Sequence, residues 1–237
     1  MKFVSFAEQP DLRERRRELR DTFLEFMHHD AVCNRYWGSL FEELPGFQYG
    51  LLDDDGILIA EGNCTPTRWA GPDPRGVDAV LESTFERREE PNVVSALQIR
   101  IAREYQGRGL SSTLVDYMRA VTRKHGFDTL VAPVRPNRKP QYPLIPMERY
   151  VAWTRDDGLP FDPWMRVHAR LGGEIVDVCP ESMTIEGTVA EWEEWARMPF
   201  PETGSYVVPD ALVPVEIDRD ADVGRYVEPN VWMRHAV

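Results

Sequence analysis

The stretch Gln106-Gly107-Arg108-Gly109-Leu110-Ser111 decides how the rest of the chain is read. The apolar run Leu97-Gln98-Ile99-Arg100-Ile101 precedes it. Leu110, Leu114, Met118 and Val121 follow at helical spacing. A strand therefore runs into a glycine-rich turn that opens a helix. The first N–H groups of a helix lack intrahelical acceptors and sit at the positive end of the helix dipole, which suits a diphosphate. Glycine matters here because a side chain would hold the phosphate off the main chain.

Working outward, residues 2–6 read as a strand. Residues 11–28 read as a helix with Leu12, Leu19, Phe23, Phe26 and Met27 on one side, and Arg15-Arg16-Arg17 as a solvated face beside Glu14 and Glu18. A second helix over 31–44 stops at Pro45-Gly46. Residues 47–52 and 57–64 form a hairpin around Asp53-Asp54-Asp55-Gly56. That acidic run lacks the remainder of a calcium loop and reads as turn chemistry. A short helix falls within 77–87, a strand over 93–101, a helix from the glycine turn to His125 with Gly126 as its stop, and a buried strand over 129–134.

The turn and this order of elements resemble the GNAT superfamily, the acyl-CoA-dependent N-acyltransferases. Its cofactor motif runs Gln or Arg, two residues, Gly, one residue, Gly or Ala. Gln106, Gly109 and Ser111 occupy those places, and Arg103-Glu104-Tyr105 looks like the family's approach to the turn. The resemblance implies an α+β fold: a mixed, largely antiparallel sheet flanked by helices and splayed where two central strands part. It implies acetyl-CoA or another acyl-CoA as co-substrate and no metal. The pantetheine arm would lie in the splay beside the Ile101 backbone. The implied cofactor-binding set is Ile101, Gln106, Gly107, Arg108, Gly109, Leu110, Ser111, Ser112 and Asn137.

The resemblance divides the chain into an acyltransferase domain over 1–181 and a C-terminal extension over 182–237 packed on the same domain. Between the 129–134 strand and the next helix lies an insertion, 138–161, rich in Pro and aromatics, which reads as a cover for the substrate. Asp162 is an N-cap, Pro163 suits the first helical position, and Gly172-Gly173 ends that helix. Its close, His168-Ala169-Arg170-Leu171-Gly172, resembles the family's Tyr-x-x-Leu-Gly, whose Tyr protonates the departing thiolate. His168 stands in its place, with Tyr150 as the fallback acid and a packed helix histidine as the bland alternative. In the tail, 174–179 and 183–186 read as strands, and Thr188 with Glu191 as a capping box. Segments 206–217 and 225–233 are extended, with Pro209, Pro214 and Pro229 favouring edges or loops.

With 28 basic and 40 acidic side chains, the net charge of −12 disfavours nucleic acid and anionic membranes as partners and is compatible with a cationic amine. Coenzyme A is itself anionic, so its site needs local positive charge, for which Arg103, Arg108, Arg135, Arg138 and Lys139 are candidates. Cys33, Cys64 and Cys179 form no CxxC pair and read as buried thiols in a reducing cytoplasm. No leader or membrane span is seen. His28-His29-Asp30 with Cys33 lacks the spacing of a zinc site.

Acyl transfer to an amine needs the donor held in line, a deprotonated nucleophile and a proton for the leaving thiolate. No covalent intermediate is required. Glu61 and Glu148 are the candidate bases, with water-mediated deprotonation as the alternative. The expected activity is N-acetylation of a small-molecule amine by direct attack on the thioester. A non-catalytic acyl-CoA sensor, or an acyltransferase using a longer chain or an acyl-carrier protein, are the other readings. The edge-strand-rich tail is a candidate homodimer surface.

Overall fold

In the computed structural model, which describes residues 1–17, 19 and 24–237, the sheet begins with β1 (Lys2–Ser5), β2 (Gln48–Leu52), β3 (Leu58–Thr67) and β4 (Val93–Ile101), each antiparallel to the one before. β5 (Thr129–Val134) joins β4 in parallel. β9 (Val223–Ala236) pairs antiparallel with β5 through its second half and with β8 (Val215–Asp218) through its first, and β8 pairs with β7 (Gly204–Tyr206). β6 (Glu174–Gly187) follows the other edge of β9 along its length. The sheet is mixed and largely antiparallel, with the parallel step at its centre.

The helices are α1 (Leu12–Arg15), α2 (Ala31–Glu43), α3 (Gly76–Leu81), α4 (Leu110–Lys124), α5 (Met147–Val151), α6 (Pro163–Arg170) and α7 (Val189–Ala196). Their ends follow from local chemistry. Asp30 accepts from the Cys33 N–H at the head of α2, and Asp162 accepts from Trp164 and Met165 at the head of α6, where Pro163 needs no partner. Thr188 and Glu191 form the full capping box of α7. α4 starts from Gly109 at φ +78° and buries Leu110, Leu114, Met118 and Val121 against the β2–β4 face.

The sheet parts at its centre. β4 and β5 pair only at Val94–Leu130 and Ser95–Val131. Beyond that point β4 keeps β3 as its partner through Ile101, while β5 turns to β9 through Val134. The inner edges of the two strands are left facing each other without a ladder, which is the expected splay.

Three expectations change. The helix read over 11–28 is α1 followed, beyond an extended Leu24 (φ −75°, ψ 139°), by a 3-10 turn over Glu25–His29. Glu18, Arg20, Asp21, Thr22 and Phe23 lie outside the described residues. The apolar set still meets: Leu12, Leu19, Phe26 and Met27 bury in one core with Phe41. The two strands read over 174–186 are one strand with a bulge between Cys179 and Met183. Pro229, assigned to an edge or loop, lies inside β9 where no ladder claims it: β5 pairs only from Val231 onward, β8 only up to Arg225, and β6 bulges opposite it. A proline lacks the N–H that a central ladder demands, and at that position nothing makes the demand.

The insertion packs on the core. Tyr150 and Met147 of α5 are buried with Ala132, Val134, Met165 and Val231. Tyr142, Trp153 and Phe161 surround Tyr150, Phe161 meeting it edge-on, with Tyr142–Trp153 ring centroids 5.0 Å apart. Among the described residues, no helix is long and apolar enough to cross a membrane.

Candidate active site

Left-handed backbone at Gly107 (φ +74°) and Gly109 (φ +78°) shapes the turn after β4. Among the described residues no hydrogen bond holds the main-chain N–H of Gly107, Arg108 or Gly109, whereas that of Ser112 is already bonded to the Gly109 carbonyl (3.2 Å). A Cβ built on either glycine meets nothing within 4 Å, so the open space over the turn is real. These free donors at the start of a 15-residue helix fit a diphosphate. Arg108 lies over the Tyr105 ring and is exposed. Leu110 contributes its side chain to the core and can serve only through its main chain.

From the turn a cavity of about 950 Å³ runs through the splay. Gln106 and Ser111 line it at the turn, Ala96 to Ile101 and Ala132 to Val134 form its walls, and Asn137 lies along its rim. The Gln106 amide folds back to the Ile101 carbonyl (3.1 Å), so that carbonyl is shared with whatever binds in the splay. The far half of the cavity is built by Met27, His28, Cys33, Trp37, Met183 and Glu228.

This far half was not foreseen, and its decisive group is Glu228 on β9. Glu228 is fully buried. Its Oε2 accepts from Arg135 Nε (2.9 Å) and from the Tyr226 hydroxyl (2.9 Å), while its Oε1 has no partner. Asn230, two residues along the strand and on the same face, donates its amide N–H to Pro133 and Ser182 and leaves Oδ1 free. Gln98 Oε1 is also unpartnered. Three buried acceptors without donors thus line one cavity, an arrangement whose cost is recovered by a ligand rich in N–H groups. The available signal was a carboxylate and an amide at i, i+2 among the apolar residues Val227 to Met233.

The acids and bases expected from sequence are dispersed. His168 lines the cavity. It is buried, and burial with the neighbouring His235 lowers its pKa to about 3, so it rests neutral and is no ready proton source. The fallback, Tyr150, donates its hydroxyl to Asp162 (2.8 Å) inside the insertion and does not reach the cavity. Glu61 is buried beneath two guanidinium groups, Arg16 (3.0 Å) and Arg100 (2.8 Å), which hold both its oxygens and rule it out as a base. Glu148 is exposed on α5 and lies outside the lining.

Of the expected cations Arg135 lines the cavity, and the other arginines that reach it were not foreseen. Arg13, Arg16, Arg17, Arg100 and Arg135 line it. Arg16 belongs to no solvated face, since it also stacks over Phe41 at 4.0 Å. Lys139 is fully buried, its ammonium tied to the Tyr142 and Leu212 carbonyls (2.9 and 2.6 Å), which removes it from any phosphate. The His28-His29 pair does not converge: His29 stacks on Trp195 at 3.9 Å. Cys33, Asp30 and Asp78 do meet, with candidate ligand atoms within 4.8 Å, but both Asp30 oxygens already accept main-chain N–H groups.

Comparison with known proteins agrees with this geometry. Residues 12–145 match the model of the Acetyltransferase (GNAT) family. The chain is 31% identical over 246 residues to the arginine N-acetyltransferase avaD of Aspergillus versicolor, covering 90% of this chain and 84% of that one. Its fold is similar to the loading GNATL domain of CurA from Lyngbya majuscula (TM-score 0.65, 18% identity, 99% and 96% of the two chains). It is also similar to the GphF GNAT-like decarboxylase in complex with isobutyryl-CoA (TM-score 0.57, 14% identity, 100% and 99%). The glycine turn, the splayed strands and the family match over more than half the chain place this protein in the GNAT acetyltransferase family, as an acyl-CoA-dependent N-acyltransferase.

Proposed function

We propose that the enzyme transfers an acetyl group from acetyl-CoA to an amine of a small cationic molecule, with arginine-like compounds as the first acceptors to try. The observation that carries this reading is Glu228, which lines a cavity continuous with the glycine turn and whose Oε1 has no hydrogen-bond partner. A buried carboxylate oxygen without a donor favours an ammonium or guanidinium over a neutral alcohol. The relative that is 31% identical is named for acetylating arginine, which supports the same class. The free amides of Gly107 and Gly109 would take the diphosphate, with Gln106, Ser111, Ile101 and Asn137 along the arm.

Direct attack is favoured over a covalent thioester on the enzyme. Cys33 is the cavity's cysteine among the described residues. Burial, reinforced by the carboxylates of Asp30 and Asp78, pushes its thiol well above the usual range, so no thiolate is available. Held in line, the amine and the thioester would react by proximity.

Incubation with acetyl-CoA and a panel of amines, reading free thiol and product mass, tests the proposal. Amine-dependent thiol release with basic amino acids and their derivatives, abolished by neutral isosteres, is the expected result. Turnover confined to uncharged amines would reject the cationic class.

A further inference from the structure

The two faces of the parted sheet differ in charge. Ile99 and Ile101 of β4 pack in one core with Leu110, Leu114 and Met118 of α4, the helix that leaves the glycine turn. Alternation along the strand puts Gln98 and Arg100 on the other face. There Arg100 stands opposite Glu61 in the β3–β4 ladder, and the two side chains pair at 2.8 Å. Arg16 pairs with the same Glu61 at 3.0 Å and stacks on Phe41 of α2. Phe41 belongs to the core that also buries Tyr226 of β9, and Glu228 follows Tyr226 at i+2. The arginines and the Glu228 carboxylate therefore share the sheet face away from α4, on the two sides of the splay, and all line the cavity.

The β3–β4 side carries a surplus of positive charge. Glu61 offers one negative charge to two guanidinium groups, and Arg100 is only 8% exposed. Glu61 takes Nε and one terminal nitrogen of Arg16, whose other terminal nitrogen has no partner among the described residues. Arg17, next in the chain, also lines the cavity; it is exposed and makes no hydrogen bond or ion pair among the described residues. Arg13 differs, being held by Glu42 at 2.9 Å. A positive charge in surplus and largely out of water calls for an anion. Across the splay the demand reverses, since Glu228 Oε1 and Asn230 Oδ1 are acceptors without donors. A ligand that satisfies both sides is negative at one end and positive at the other.

We propose that the acceptor is an amino acid with a free carboxylate, which Arg16 and Arg17 bind above the Glu61–Arg100 pair while Glu228 takes its cationic group. The proposal rests on the reading of Glu228 as the cation site and adds to it a second anchor of opposite sign. Guanidinium groups suit a carboxylate because their N–H donors lie in one plane and match its two oxygens. Glu61 gains a role thereby: barred from acting as a base, it fixes the plane of Arg16 and leaves one arm of that side chain for the ligand. The phosphates of acetyl-CoA are the other anions of the reaction. The open main-chain donors of the glycine turn suit them, and α4 packs on the opposite face of β4, which favours the acceptor's carboxylate as the anion on this face.

Arginine, argininamide and agmatine share a guanidinium group and differ in the carboxylate, which is charged, neutral or missing. Thiol release from acetyl-CoA, with product mass, ranks them in the whole protein. Arginine should exceed the other two roughly 10- to 150-fold in kcat/KM. Equal rates with all three, neutral amines remaining inactive, would overturn the proposal and leave the cationic reading standing. Arg17→Gln removes an exposed charge that holds nothing in the fold, and Arg16→Lys keeps a cation for Glu61 while deleting the second arm. Each should lower the arginine-to-agmatine ratio of kcat/KM about 5- to 50-fold, with KM for acetyl-CoA held within about twofold. An unchanged ratio would show a packing role, and a rise confined to KM for acetyl-CoA would assign these arginines to a cofactor phosphate; either overturns the proposal. If wild-type protein releases no thiol with any amine, the functional reading falls. Calorimetric titration with arginine against argininamide, in the presence of CoA, then still decides the carboxylate site, and equal Kd values overturn it.

Discussion

Gly109→Ala separates what the turn does for the fold from what it does for the co-substrate. Gly109 sits at φ +78°, and an added Cβ would find nothing within 4 Å. The folded apo protein therefore loses no packing and bears only the left-handed strain of an L-residue, about 1–2 kcal/mol. For a chain of 237 residues that lowers Tm by roughly 2–8 °C. Gly56 provides a matched control: it has the same φ of +78°, equally open space and a place in the β2–β3 turn outside the cavity lining. Gly56→Ala should show a similar thermal shift. Only at Gly109 does the new methyl group stand beside three free main-chain donors at a helix start. Loss of one charge-assisted bond to a phosphate is worth about 1.5–3 kcal/mol, or roughly 10- to 150-fold in Kd. Calorimetric titration with CoA, alongside thermal melts of both variants, makes the comparison. If Gly109→Ala melts lower but binds CoA within about twofold of wild type, the turn is a structural corner and the diphosphate lies elsewhere.

Three further outcomes follow from individual contacts. Glu228→Gln keeps an oxygen for Arg135 and Tyr226 but turns a donor towards the cavity, so kcat/KM for cationic amines should fall roughly 10- to 150-fold, with KM for acetyl-CoA held; unchanged selectivity between charged and neutral amines would count against the acceptor site. Asp78 is buried beside Asp30, and burial, then the charges of Asp30 and Glu82, raises its pKa to about 8. The unfolded chain binds fewer protons there between about 4 and about 8, so stability should decline across that window as pH rises, on the order of 2–4 kcal/mol in all. Asp78→Asn should flatten the dependence of Tm on pH, and an equal slope in the variant would place the titration elsewhere. Gly62→Ala drives a methyl group into the Tyr49 ring and displaces its hydroxyl from the Leu114 carbonyl. A cost of about 3 kcal/mol or more, roughly 6–12 °C in Tm, is expected by thermal melt; a wild-type Tm would mean that β3 and α4 are more loosely held than they look.

What was legible in the sequence was local. The strand, glycine turn and helix over 93–125 are specified by hydrophobic period and by glycines that must take positive φ, so each residue reports on its near neighbours. The caps at Asp162 and Thr188 were readable for the same reason. The far half of the cavity depends on where β9 sits, and no local rule states that. Pro229 argued for an edge because a central strand punishes proline, and it is tolerated in β9 because the β6 bulge, some fifty positions earlier in the chain, and the gap between β5 and β8 leave no ladder there to break. Once β9 is central, Glu228 and Asn230 turn into the cavity, and His235 arrives beside His168 across 67 residues. Glu61 shows the converse error. Its place on the return strand of the hairpin was read correctly, yet Arg16 and Arg100 come from α1 and β4 to occupy both its oxygens. A carboxylate's availability is decided by its partners, and these come from distant segments. The turn proposed to hold the cofactor is thus encoded within some twenty consecutive residues, while the proposed acceptor side is encoded in how the last strand finds its neighbours. Substitutions that shift β9, including those at Pro229 or in the β6 bulge, should therefore impair transfer before they impair CoA binding, and paired kcat and Kd measurements on Pro229→Val would show whether the two halves of the site separate in this way.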